Sequence, residues 1–342
     1  MSRLIDLSSD TATQPTPAMR RFMCAAPVGD EQRGEDPTVR LLEETVAELL
    51  GREAAVFLPS GTMCNIVAYF VHGEPGDEVI LHRDTHAVYS ETGGPAVHAR
   101  VSLAWLEGAR GQFSGADVAA AIRTREPWKP RSRLLSVENT SNRGGGSIWP
   151  LARIEEVCTV AHEHGLVAHL DGARLLNAVV ATGVSAASYC APFDSAWIDL
   201  SKGLGCPVGA ALAGSGDFVR EARRAKHLFG GAMRQAGIIA AAGVYALRHH
   251  VERLAEDHAL AKDLAAALRE VPGIVLDEPE TNIVLFDVPA PLTAADVLER
   301  ALTAGVRFSE VGPRRLRAVT HLDVQPPDVE LAARAVGAAL AG

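Results

Sequence analysis

Short apolar runs that stop at a glycine or an ionisable residue recur along this chain, and they constrain its fold more than any other feature. Residues 54–58, 77–82, 134–137, 166–170 and 196–200 each have the length of a buried strand and are too short for a helix. Helical segments alternate with them through about residue 237. One is residues 37–51, where Leu42, Val46 and Leu49 share a face and Gly51 stands at the C-cap position. This alternation predicts an α/β fold whose mostly parallel, doubly wound sheet is covered by helices on both faces.

From about His249 the pattern changes. A long helix over 251–271 leads to strands near 274–276 and 282–286, then to a helix over 294–304 with Thr293 placed to cap it. Strands near 306–309 and 316–320 and a closing helix from Asp328 complete a small α+β domain. A chain of 342 residues exceeds what one hydrophobic core usually supports, so two domains are expected. The reading divides them as residues 1–248, including an N-terminal arm, and residues 249–342.

The run 196–200 delivers Lys202 into the glycine-rich turn Gly203-Leu-Gly205. A lysine there is expected to be partly desolvated, which would pull its pKa down toward that of a usable amine nucleophile. Amines of this kind form Schiff bases with carbonyl cofactors, although a Lys-Gly pair taken alone is equally a surface turn. Upstream, the run 166–170 ends in Asp171-Gly-Ala-Arg174. In an α/β sheet the carboxyl ends of the strands line the ligand crevice, so Asp171 and Lys202 are expected to face one cavity. A lysine to hold an aldehyde and a carboxylate to keep a pyridine nitrogen protonated together suit pyridoxal phosphate. The third requirement is a phosphate seat. Pro59-Ser-Gly-Thr-Met63 turns from a strand into an apolar helix, where the amides of Gly61 and Thr62 and the Thr62 hydroxyl can bind a phosphate.

Eight ordered blocks now carry a resemblance: Ser9-Asp-Thr11, Gly34-Glu-Asp-Pro-Thr38, Pro59-Ser-Gly-Thr-Met63, Glu138-Asn-Thr140, Asp171-Gly-Ala-Arg174, Ser201-Lys-Gly-Leu204, Met233-Arg-Gln-Ala-Gly237 and Val319-Thr-His-Leu-Asp323. In this order they resemble the low-specificity L-threonine aldolases, fold-type-I pyridoxal-phosphate enzymes of the β-eliminating lyase group, over nearly the whole chain. The resemblance implies retro-aldol cleavage of threonine, allo-threonine or a related β-hydroxy-α-amino acid to glycine and an aldehyde. It places His86 on the cofactor ring as a candidate base. Arg174, Arg317 and Ser9 fall on the substrate carboxylate. Arg234 falls on a loop that reaches a neighbouring subunit's phosphate, in a homodimer or homotetramer.

Three positions depart from the pattern. Arg33 stands where these enzymes usually have tyrosine, and Trp128 and Ser141 where they have histidines. An added arginine favours a substrate with a second acidic group, such as 3-hydroxyaspartate; the plainer reading of Arg33 is a solvated or interface residue. Another lyase on the same scaffold, performing β-elimination or taking a bulkier substrate such as phenylserine, stays open on sequence grounds.

The remaining features bound partners and compartment. A net charge of −9 argues against nucleic-acid or anionic-membrane partners. Five scattered cysteines without paired spacing indicate neither a disulfide framework nor a metal site, and they suit a reducing cytosol. The N-terminus has no apolar signal core, and no apolar run approaches the roughly 20 residues of a membrane span. Gly144-Gly-Gly146 lacks the spacing of a dinucleotide fingerprint and is expected to be a flexible loop beside the cofactor.

Overall fold

The computed structural model describes residues 3–341. A short strand, β1 (Ile5–Asp6), begins the chain, and seven strands then build the main sheet: β2 (Ala54–Leu58), β3 (Glu78–His82), β4 (Ser102–Leu106), β5 (Ser132–Glu138), β6 (Val167–Gly172), β7 (Ser195–Asp199) and β8 (Ala210–Gly214). Their order across the sheet is β2-β8-β7-β6-β5-β3-β4. Every pairing is parallel except those of β8, which runs antiparallel between β2 and β7. Because β8 reverses twice, β2 points the same way as β7. The carboxyl ends of β2, β3, β5, β6 and β7 therefore all reach one edge.

Two of these strands escape the sequence reading. The Ala-Ala-Leu-Ala-Gly of β8 is built from residues poor in strand propensity, and it becomes a strand because two apolar neighbours bury it on both sides. β4 is an edge strand that turns Trp105 outward, so its burial is too broken to register as an apolar run.

The second sheet is antiparallel, with β9 (Val275–Leu276), β10 (Ile283–Asp287), β12 (Ser309–Gly312) and β13 (Arg315–Val319) in the order β12-β13-β10-β9. β11 (Val306–Arg307) pairs in parallel with β1. The helix Ala294–Thr303 starts at a capping box, with the Thr293 hydroxyl on the Asp296 amide and the Asp296 carboxylate on the Thr293 amide. Ile5 and Leu7 belong to the same hydrophobic cluster as Leu264, Val284, Phe286 and Val336. The first residues of the N-terminal arm, Ile5 and Leu7, thus pack with the C-terminal unit, while Met19 further along the arm packs in the main core. Leu254, just past the expected boundary, still packs in the main core.

The triple-glycine segment also differs from expectation. A Cβ on Gly146 would fall 2.4 Å from the Thr281 hydroxyl, and one on Gly144 would fall 2.2 Å from the Arg110 carbonyl. Thr281 donates to the Gly146 carbonyl at 2.8 Å. This is a close-packed seam between the two sheets, and glycine is required there by contact.

Candidate active site

The edge where five strands end gathers the ionisable residues. Lys202 follows β7, Asp171 ends β6, Glu138 ends β5, His86 begins the short helix after β3, and the helix Gly61–His72 starts just after β2. The sheet register sets Glu138 beside Asp171 and Asp171 beside Trp197.

Lys202 is nearly buried, its side chain only 14% exposed, and its Nζ lies 2.9 Å from Asp199 Oδ2. To the partial desolvation expected from the sequence the structure adds an ion pair. Asp199 is itself oriented through Oδ1, which accepts from the Ser201 amide and hydroxyl at 2.9 and 2.8 Å. Nothing in the apolar run before Lys202 signals that its own aspartate turns back onto the amine.

At the start of the helix Gly61–His72, the Ser60 hydroxyl caps the Met63 amide and the Ser60 carbonyl accepts from the Cys64 amide. Among the described residues no acceptor meets the amides of Gly61 and Thr62, so these are the free donors of the first turn. A Cβ on Gly61 would lie 2.4 Å from the Trp197 ring and 3.2 Å from the Asp199 carboxylate, so glycine lets the helix start close to Lys202.

Asp171 is buried. Its Oδ2 accepts from Asn65 Nδ2 at 2.8 Å and its Oδ1 from the Ala173 amide at 3.1 Å. Asn65 Nδ2 also donates to Glu91 Oε1 at 2.8 Å, and that same oxygen lies 2.9 Å from His86 Nδ1. Burial works against a charged imidazole, but Glu91 and Asp171 outweigh it and raise the His86 pKa. Burial likewise raises the carboxyl of Glu91. His86 is thus one half of a His-Glu dyad with Nδ1 held inward, and its ring remains partly exposed.

The arginines meet differently from the expectation. Arg174 is buried and spends its Nε and Nη2 edge on Asp10, at 2.7 and 2.6 Å, leaving only Nη1 for a ligand. Burial would raise the Asp10 carboxyl, but the Arg174 guanidinium dominates and holds it well below the usual range. Arg317 donates through Nη1 to Asn142 Oδ1 at 2.5 Å and through Nη2 to the Ser8 carbonyl at 2.9 Å, while its buried Nε has no partner. Burial and the nearby Arg174 push the Arg317 guanidinium down to about 10, so two close cations share this corner at neutral pH. Such a corner favours an anion. Ser9 lies beside it, half-buried, with its hydroxyl capping the turn at Thr11.

Three expected residues lie elsewhere. Trp128 is 79% exposed on the turn before β5, whose seven residues separate that turn from the crevice by roughly 20 Å. Arg33 and Arg234, with side chains 73% and 60% exposed, converge on Asp30 at 3.8 and 2.9 Å and contact neither Lys202 nor Asp171. Within one chain these three take no part in the site.

Sequence reasoning missed Asp10, Asn65, Glu91, Glu138 and Asp199. Asn65 could have been found as the one amide inside an otherwise apolar helical run. Asp10 and Glu138 sat inside the quoted blocks without a role. Glu138 is fully buried, and its two oxygens accept from the His86 and Asn142 amides at 2.7 and 2.8 Å. Burial first, then the charge of Asp171, pushes its carboxyl up to about 7. A carboxyl raised in the folded state contributes most stability while protonated, and that contribution is lost as pH rises from about 4.5 through about 7. Unfolding in urea across this window should show stability falling with pH. Glu138→Gln should flatten that slope and, by losing one acceptor, destabilise the protein at pH 5.

The residues fit pyridoxal phosphate: an amine at Lys202, a buried carboxylate at Asp171 with lone pairs to spare, free amides at Gly61 and Thr62, and a glycine cradle between them.

Comparison with known proteins agrees. The β-eliminating lyase family matches residues 6–291. The low-specificity L-threonine aldolase of Escherichia coli is 42% identical over 322 residues, covering 94% of this chain and 95% of that protein. Low-specificity L-threonine aldolase 1 of Arabidopsis thaliana is 38% identical over 335 residues, covering 96% and 94%. Among solved structures, the threonine aldolase of Leishmania major superposes with a TM-score of 0.85 at 21% identity, covering 98% of this chain and 99% of that one. At that identity the superposition speaks for the fold, and the two closer sequences speak for descent. The chain belongs to the β-eliminating lyase family, within which it groups with the low-specificity threonine aldolases.

Proposed function

We propose that this protein cleaves the Cα–Cβ bond of L-threonine, L-allo-threonine or a related β-hydroxy-α-amino acid, releasing glycine and an aldehyde. The observation that carries the reading is the convergence of Lys202, Asp171, the free helix amides and the buried Arg174 at one edge of the main sheet, with Arg317 brought to the same corner from β13 of the second sheet. When bound there through Lys202, pyridoxal phosphate supplies the electron sink for the pair left at Cα. The remaining work falls to side chains. Arg317 and the Nη1 of Arg174, with Ser9 beside them, hold the α-carboxylate and fix rotation about the N–Cα bond, which decides which bond at Cα is aligned for breaking. His86 keeps Nδ1 on Glu91, and its Nε2, or a water it holds, takes the β-hydroxyl proton as the carbonyl of the aldehyde forms.

Arg317→Lys should raise KM roughly 10- to 100-fold with a smaller change in kcat, because a point charge replaces a planar fork that binds substrate and transition state alike. Steady-state kinetics on threonine measures this. The function itself is tested by incubating the protein with threonine, allo-threonine, phenylserine and 3-hydroxyaspartate. Glycine with a free aldehyde supports the reading; a keto acid with ammonia identifies a β-eliminating enzyme.

We infer further that the working form is a homodimer or homotetramer. Arg33, Arg234 and Trp128 are exposed and lie apart from the crevice within one chain, and we place them at a neighbouring copy's site. Sedimentation equilibrium tests this, and a monomer refutes it. A cytosolic location is our reading of five cysteines that are all free thiols. The substrate is a small amino acid, and among the described residues no helix is long and apolar enough to cross a membrane.

A further inference from the structure

The indole N–H of Trp197 can only donate, and it meets Asn65 Oδ1 at 2.8 Å. The amide oxygen must therefore face Trp197, which turns Nδ2 and its two hydrogens toward Asp171 and Glu91, each at 2.8 Å. His169 Nε2 lies 3.4 Å from the same amide oxygen, so it carries a proton and donates. Its Nδ1 then accepts from the Ser195 hydroxyl at 2.8 Å, and the Ser195 oxygen accepts from His72 Nε2 at 2.8 Å. Burial lowers His169 to about 3 and His72 to about 4; His169 faces His72, and His72 faces Asp194 and Arg133. Both rings are thus neutral at pH 7, as this pattern requires. Tyr69 packs edge-on to His169 at 5.9 Å and Phe218 stacks on His72 at 4.5 Å, so an aromatic ring flanks each imidazole. Every donor along it points the same way, from His72 to the carboxylates.

We propose that Asn65 is a positioning residue of this site: it holds Asp171 at the cofactor ring and Glu91 behind His86 in one register, and the His72–Ser195–His169 chain fixes its amide. A flipped amide would set its oxygen against two carboxylates and its N–H groups against two donors, so the chain leaves one orientation. Glu91 Oε1 is shared by Asn65 and His86, and loss of the amide donor frees the group that carries the candidate base. The inference rests on the reading of the crevice as a pyridoxal-phosphate site.

Two measurements test it. In cofactor-free wild-type protein, histidine 15N spectra should show His169 as the Nε2–H tautomer, unchanged between pH 5 and 8. An Nδ1–H tautomer overturns the proposal, since that ring cannot donate to Asn65. In Asn65→Asp, the introduced carboxylate faces Asp171 and Glu91 on one side and His169 and the Trp197 N–H on the other, with Lys202 and His86 as the nearby cations. Titration with pyridoxal phosphate should give a Kd roughly tenfold or more above wild type at pH 8. The gap should narrow at pH 6, where the introduced carboxyl takes up a proton and can donate. A Kd within threefold of wild type at both pH values overturns it. A merely structural asparagine predicts no such pH-dependent recovery. A wild-type protein that binds no pyridoxal phosphate refutes the site reading, whereas the His169 tautomer, read without cofactor, judges the hydrogen-bond chain by itself.

Discussion

Lys202→Ala is expected to lose covalent capture of pyridoxal phosphate and to cut turnover of threonine by roughly three orders of magnitude or more. Among the described residues the amine is the one nucleophile placed to hold the aldehyde, and removing it removes the step on which the rest is built. The substitution has a second consequence that the ion pair makes specific. Asp199 is buried against Lys202 Nζ at 2.9 Å, and without that partner its carboxylate stays desolvated and unpaired. Breaking a buried pair by removing one partner costs about 3–5 kcal/mol. The cofactor-free variant should therefore unfold at lower urea than wild type, and Lys202→Ala combined with Asp199→Asn should recover part of that loss without recovering activity. Turnover within tenfold of wild type would contradict the assignment.

Asp171→Asn should leave Lys202 able to capture the cofactor while lowering kcat by roughly three orders of magnitude, about 4 kcal/mol in the barrier. The substitution preserves shape. Asn65 still needs an acceptor, so the new amide keeps its oxygen on Asn65 and gives up the oxygen that accepted from the Ala173 amide, and no carboxylate would remain to keep a bound ring nitrogen protonated. Cofactor retained with turnover lost is the expected pair of results, read by absorbance and by aldehyde release. Loss of both would indicate a folding defect. Full turnover would mean that another group supports the ring nitrogen.

Much of this arrangement was legible in the sequence because strand ends are local. Asp171 and Lys202 each close an apolar run, and once the runs are strands of a parallel sheet their common edge follows. Gly61 and Thr62 could be read for the same reason, as a turn opening a helix. What could not be read was partnership across distance. Asp10 lies 164 residues from Arg174, yet it takes two of that guanidinium's donors, and no periodicity links them. Asn65 meets Asp171 across 106 residues and Glu91 across 26. The pairing of Ile5 and Asp6 with β11 could not be read because two residues of strand carry too little pattern to name a partner, and β11 lies some 300 residues away. β8 was missed because burial by its neighbours, not its own composition, makes it a strand. Trp128, Arg33 and Arg234 were placed through resemblance, and a single chain leaves all three on its surface.

The covalent bond at Lys202 is the claim on which the functional account depends, and the composition makes it easy to examine. The chain has four lysines, Lys129, Lys202, Lys226 and Lys262. Lys226 is the closest competitor, being buried and paired with Glu31 with its pKa lowered by burial, but it lies away from the crevice on the helix Gly216–Leu228. Reconstitution with pyridoxal phosphate, reduction with borohydride and mass spectrometry of the peptides should find the reduced adduct on the peptide that contains Lys202, at close to one per chain. An adduct on Lys226 alone, or no adduct at any of the four, would contradict the account.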